Sequence, residues 1–63
     1  MSRPTEAQVI AGAKAMHQAW EMRYQLRNPF YSRTPWDEIG DESRQEFIGY
    51  VRPALEAAWK ESS

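Results

Sequence analysis

The sequence predicts an all-α fold, an antiparallel helical hairpin with a short helical turn in its connection. Three observations carry that expectation. Apolar residues recur at three- and four-residue spacing over two long stretches, Asn28-Pro29 and Gly40 punctuate the region between them, and no stretch shows the strict alternation of a strand. The predicted helices cover about 5–27, 35–39 and 41–61. With 63 residues the chain accommodates one small domain, 1–63, of the size that buries only about 60% of its unfolded surface. It has no cysteine to form a disulfide. Its eight large aromatics, Trp20, Trp36, Trp59, Tyr24, Tyr31, Tyr50, Phe30 and Phe47, each offer roughly 150–250 Å² to a core.

The first helix starts at Thr5-Glu6, a hydroxyl cap followed by an acid in the first turn. Val9, Ile10, Ala13, Met16, Trp20 and Tyr24 form its apolar stripe. Arg23 and Arg27 fall in the last turns, where cations complement the macrodipole, and Asn28-Pro29 stops the helix because a residue before proline avoids the α region. Residues 28–35 form an aromatic loop. Thr34-Pro35-Trp36-Asp37 then reads as a cap, a first-turn proline and an acid, and Gly40 ends that turn. Asp41 is expected to cap the second long helix. Phe47, Val51, Ala54, Leu55 and Ala58 share its centre face, flanked by Ile48, Tyr50 and Trp59. Pro53 removes the hydrogen bond to the Gly49 carbonyl and is expected to kink this helix. The predicted core is Val9, Ile10, Ala13, Met16, Trp20, Tyr24, Trp36, Ile39, Phe47, Val51, Leu55 and Trp59.

Charge is unevenly placed. Residues 1–34 carry five basic and two acidic side chains, +3, whereas residues 35–63 carry seven acidic and three basic, −4. Opposite signs on the two halves suit a hairpin. The net charge of −1 supplies no global attraction to nucleic acid. No run approaches the roughly 20 apolar residues of a membrane span, and Met1–Glu6 lacks a secretory apolar stretch, so a cytoplasmic protein without membrane contact is expected.

Chemistry is sparse. His17 is the only histidine; beside the apolar stripe it reads as a core-edge residue donating to a carbonyl. No nucleophile–base pair is apparent, so no enzyme activity and no cofactor are expected. Asp37, Glu38, Asp41 and Glu42 do not match the EF-hand spacing and are explained as helix-start acids, so no metal site is expected. A second stripe on the first helix, Ala11, Ala15, Ala19, Met22 and Leu26, faces away from the core. Alanine serves helix propensity there, but Met22 and Leu26 could anchor a partner helix or a second copy in a homodimer. The candidate partner-binding residues are therefore Ala11, Ala15, Met22 and Leu26. An alternative set, His17, Trp36, Arg23, Arg27 and Arg33, could hold a nucleotide-like ligand or stack a base, although three arginines are few for nucleic acid.

The pattern Ala13-x-x-x-His17-x-x-Trp20, then Pro35-Trp36-Asp37-Glu38-Ile39, then Arg44 and Val51-Arg52-Pro53-Ala54-Leu55 resembles the small helical proteins of unassigned function encoded by actinobacterial phages. More remotely it is similar to the RyR-type domain, named for its repeats in ryanodine receptors. The resemblance spans residues 7–58. It implies an accessory role directed at a host or phage protein, in the host cytoplasm. The RyR-type likeness adds a nucleotide-like ligand, with His17, Trp20 and Trp36 at the family's marked positions. The chain departs from the receptor repeats in lacking most of their central loop. The leading expectation is thus a small non-catalytic protein-interaction module, with a phage origin implied by the resemblance alone; the alternative is a ligand or nucleic-acid module built on the aromatic, arginine-bearing loop.

Overall fold

In a computed structural model, which describes residues 3–62, the chain runs α1 (Glu6–Arg27), a 3-10 turn (Trp36–Glu38) and α2 (Asp41–Ser62). Met1, Ser2 and Ser63, the ends of the predicted domain, lie outside the described residues. There is no strand among the described residues. The two long helices pack on each other, and the 3-10 turn packs on α1. The architecture is the predicted all-α hairpin, with boundaries within a residue or so of those expected.

Local sequence explains each boundary. Thr5 caps α1 through a reciprocal pair: its hydroxyl accepts from the Gln8 N–H at 3.1 Å, and Gln8 Oε1 accepts from the Thr5 N–H at 2.8 Å. That satisfies two donors otherwise orphaned at a helix start. At the far end the Asn28 N–H closes on the Tyr24 carbonyl at 2.9 Å. Asn28 Oδ1 then accepts from the Phe30 N–H at 3.2 Å, an Asx-type turn that redirects the chain.

Two caps differ from expectation. Pro35, not Thr34, is the residue before the 3-10 turn, and no side chain caps it; the Thr34 N–H is directed to Glu21 instead. Gly40, not Asp41, precedes α2, its carbonyl accepting the first helical bond from the Arg44 N–H at 3.1 Å. Gly40 has φ +87°, a conformation that L side chains adopt at a cost of about 1–2 kcal/mol. Arg44 fastens this junction. Its guanidinium donates to the Trp36 and Asp37 carbonyls at 3.3 and 3.2 Å and pairs with Asp41. α2 continues through Pro53 to Ser62.

The helices meet along a line that the apolar stripe of α1 only partly describes. Val9, Ala13, His17 and Glu21, each four residues after the last, are the buried positions of α1, and Val51 is the buried position of α2. The contacts run from Glu6–Arg52 through Gly12–Val51 to His17–Phe47, so the two helices are antiparallel neighbours along this line. Of the predicted core, Met16, Trp36, Ile39, Phe47, Leu55 and Trp59 are half-buried. Ile10, Trp20 and Tyr24 are exposed, Trp20 by 45% and Tyr24 by 52%, because they stand beside the buried line and no side chain of α2 covers them fully. Ala54 and Ala58, assigned to the centre face of α2, are exposed as well. Exposed Glu6 of α1 reaches Arg52 of α2 at 2.8 Å. Such an exposed pair is screened by solvent and contributes little to stability.

Gly12 permits the crossing. A Cβ there would lie 2.9 Å from Val51 Cγ1 and 3.4 Å from Leu55 Cδ1, whereas one on Gly49 would meet nothing within 4 Å. Val51 is β-branched and cannot swing aside freely. The two glycines therefore predict opposite results from one substitution. Gly49→Ala is expected to stabilise the chain by about 0.5–1 kcal/mol through helix propensity. At Gly12 the same gain is opposed by an overpacking cost of about 1–3 kcal/mol, so Gly12→Ala is expected to be neutral or destabilising. Thermal midpoints followed by helical circular dichroism decide; a Gly12→Ala gain equal to that of Gly49→Ala would remove the close approach from the account.

Candidate functional site

The centre of the molecule is polar. His17 is 5% exposed and Glu21 9%, and as residues i and i+4 they stand on one face of α1. His17 Nε2 lies 3.2 Å from Glu21 Oε1, but the approach is poorly directed, and this buried nitrogen has no hydrogen-bond partner among the described residues. Rings close over the imidazole: Phe47 at a centroid distance of 5.4 Å and Trp36 at 5.9 Å, both edge-to-face. His17 is thus buried beside a carboxylate, which corrects the expectation of a core-edge histidine donating to a carbonyl.

Glu21 ties the connection to α1. Its carboxylate accepts from the Tyr31 hydroxyl and, at 3.5 Å, from the Thr34 N–H. Burial is the largest single influence and pushes its pKa up, but Tyr31, Thr34 and His17 together outweigh burial and hold the carboxyl below its ordinary value. The same bond to Glu21 holds the Tyr31 phenol above its ordinary value.

These shifts predict a pH dependence with a worked sign. A carboxyl whose folded pKa is lowered binds its proton less readily folded than unfolded. Its contribution is present above the ordinary value of 4.5 and is lost as pH falls through the lower, folded value. Exposed Glu6, held low first by its hydrogen bond and then by its charge attraction to Arg52, adds in the same direction. Tyr31 has the opposite case. Its contribution is present below 10.0 and is lost as pH rises through the raised, folded value. Melts between pH 7 and pH 3 are expected to show a falling midpoint in the parent and a flatter profile in Glu21→Gln. Parallel profiles would remove Glu21 as a source of the dependence.

Two open grooves flank this buried pair. One, of about 420 Å³, is lined by Lys14, His17, Glu21, Arg33, Thr34 and Trp36, among others. Here Arg33 Nε donates to Gln25 Oε1 at 2.8 Å. The other, of about 460 Å³, lies between the helices and is lined by Met16, Trp20, Tyr24, Ile39, Phe47 and Tyr50 around the His17–Glu21 pair. Tyr24 continues it into a row of rings, 6.2 Å from Trp20 and 5.7 Å from Tyr31 between centroids. Tyr50 on the opposite wall is 67% exposed.

The structure divides the residues of the ligand alternative. His17, Trp36 and Arg33 share the first groove, whereas Arg23 and Arg27 stand beside Trp20 and Tyr24 at the edge of the second. Ala11, Ala15, Met22 and Leu26 are all exposed, Leu26 by 82%, on the side of α1 opposite its buried line. Sequence reasoning did not single out Glu21 or Tyr50 as site residues. The continuation of Val9 and Ala13 at four-residue steps was the available signal for Glu21.

Among the described residues no group of three or more His, Asp or Glu side chains is placed to hold a metal ion, and no helix is long and apolar enough to cross a membrane. Fold and site together define a two-helix hairpin with a buried His–Glu pair and an aromatic groove. No protein-family model, curated protein or solved structure matches the chain.

Proposed function

We propose that this chain is a small non-catalytic protein-interaction module whose contact surface is the aromatic groove between its helices. The observation that carries this reading is the molecule's unfinished shape. It measures 44 × 22 × 14 Å along its principal axes, and a helix with its side chains is about 10–12 Å across. The molecule is therefore a single layer of helices, whereas stable domains pack at least two layers around a core. The resemblance to phage-type proteins directs the search for partners to host and phage proteins of the cytoplasm.

Affinity capture from host cytosol, read by mass spectrometry, tests the reading. Three baits are compared: the parent chain, Tyr50→Glu in the groove, and Met22→Gln/Leu26→Gln on the opposite stripe. A protein retained by the parent and the stripe variant but lost with Tyr50→Glu supports the groove. Loss only with the stripe variant moves the contact to Met22 and Leu26, and equal retention by all three overturns both surfaces.

A second reading, a nucleotide-like ligand in the Lys14–Arg33–Trp36 groove, is supported by the buried, unpartnered Nε2 of His17 on its wall. Quenching of tryptophan emission by a nucleoside triphosphate, absent in Trp36→Phe, would favour it. An unchanged spectrum at millimolar nucleotide would remove it.

A further inference from the structure

We infer that the aromatic groove is covered by a second copy of this chain, giving a two-fold dimer of hairpins. The inference rests on the groove being the contact surface and names what fills it.

Area is the first argument. The chain exposes 5108 Å², against about 4200 Å² expected for a compact folded protein of 7.4 kDa. The excess of about 900 Å² is close to the roughly 800 Å² that one partner contributes to a standard interface. Its radius of gyration, 13.5 Å, also exceeds the about 10.6 Å of a compact domain of this length. One further layer of the same dimensions supplies what is missing.

Charge is the second argument, and it selects a copy of the chain itself. At the α1 edge of the groove, Arg23 and Arg27 stand beside its lining residues Trp20 and Tyr24. On the α2 wall, exposed Glu46 falls three residues after Ser43 and four before Tyr50, which places it on their side of the helix. The α1 rim is thus basic and the α2 rim acidic, while Glu21 within the groove is engaged by the Thr34 N–H. When two such faces meet about a two-fold axis running along the groove, α1 of each copy lies over α2 of the other. The basic rim then meets the acidic rim twice, and the six rings that Trp20, Tyr24 and Tyr50 supply from the two copies close into one core. A two-fold across the groove would instead set α1 on α1 and bring like charges together, so the charge pattern also fixes the axis. The product is a four-helix bundle, an arrangement that antiparallel hairpins pack readily.

Sedimentation equilibrium of the full chain from low micromolar to millimolar concentration tests this, with helical circular dichroism confirming that each variant is folded. The parent is expected to dimerise. Arg23→Glu and Glu46→Arg, both on exposed side chains, are each expected to weaken the dimer about tenfold by setting like charges across the seam, and the double variant is expected to recover. A parent that stays monomeric throughout overturns the inference. So does a dimer whose constant ignores all three variants, since it then forms through another face. A monomeric chain that still captures a protein through Tyr50 fails here while leaving the interaction reading intact; a monomeric chain that captures nothing fails both.

Discussion

Glu21→Ala is expected to lower stability by about 2–3 kcal/mol. The carboxylate is the acceptor for the Tyr31 hydroxyl and the Thr34 N–H and the neighbour of His17 Nε2. Removing it leaves those donors short of a partner near a buried site, and each buried unsatisfied group costs about 1–3 kcal/mol. Tyr31 is only half-buried, so water recovers part of its loss, which keeps the total near the lower end of a simple sum. A domain below about 70 residues has only about 3–5 kcal/mol to lose, so the variant is expected to be largely unfolded at 37 °C. Urea unfolding followed by circular dichroism measures the difference. Glu21→Gln keeps an acceptor in place and is expected to recover part of the stability. A Glu21→Ala midpoint equal to that of the parent would mean that the connection is held to α1 by other contacts.

Trp36→Ala is expected to cost about 3 kcal/mol, the lower end of the range for deleting a core aromatic because the ring is half-buried. Trp36 covers the His17 imidazole edge-to-face at 5.9 Å and lies 6.3 Å from Phe47, so its removal admits water to the buried pair. Trp36→Phe retains an apolar ring and is expected to recover more than half of the loss. Trp20, although equally large, is 45% exposed, and Trp20→Ala is expected to cost less than Trp36→Ala. The same urea series orders the three variants. A Trp36→Ala midpoint close to the parent's would show that the ring does not seal the core and would leave it free for a ligand in the adjoining groove.

The course of the chain was legible because its boundaries are set locally. Thr5 with Gln8, Asn28 before Pro29, and glycine at 40 each act within a few residues, so no knowledge of the partner helix is needed to read them. The core was less legible for a geometric reason. Val9, Ala13, Trp20 and Tyr24 do form one broad apolar side of α1, but which part of that side is covered depends on the angle at which α2 crosses it. Gly12 and Val51, which meet where the helices approach, come from opposite halves of the chain. The crossing favours the line that ends in His17 and Glu21, so polar side chains occupy positions that periodicity assigned to rings. Their partners, Tyr31 and Thr34, come from the connection, and no local spacing announces that pairing. The two caps were misplaced by one residue for a related reason: Thr34 resembles a cap by type, but its N–H is engaged by Glu21 across the fold.

The buried line of α1 has a consequence for how the molecule loosens. It ends at Glu21, while the helix continues to Arg27. Residues 22–27 include Leu26, 82% exposed, and rest chiefly on helix propensity, the Arg33–Gln25 hydrogen bond and the tilted ring contact of Tyr24 with Tyr31. Short helical ends held in this way open independently of the rest of a domain. In deuterated water, at concentrations low enough to keep the chain monomeric, the amides of residues 23–27 should therefore take up label well before those of residues 13–21, so that the aromatic end of the hairpin melts and re-forms many times within the lifetime of the folded chain.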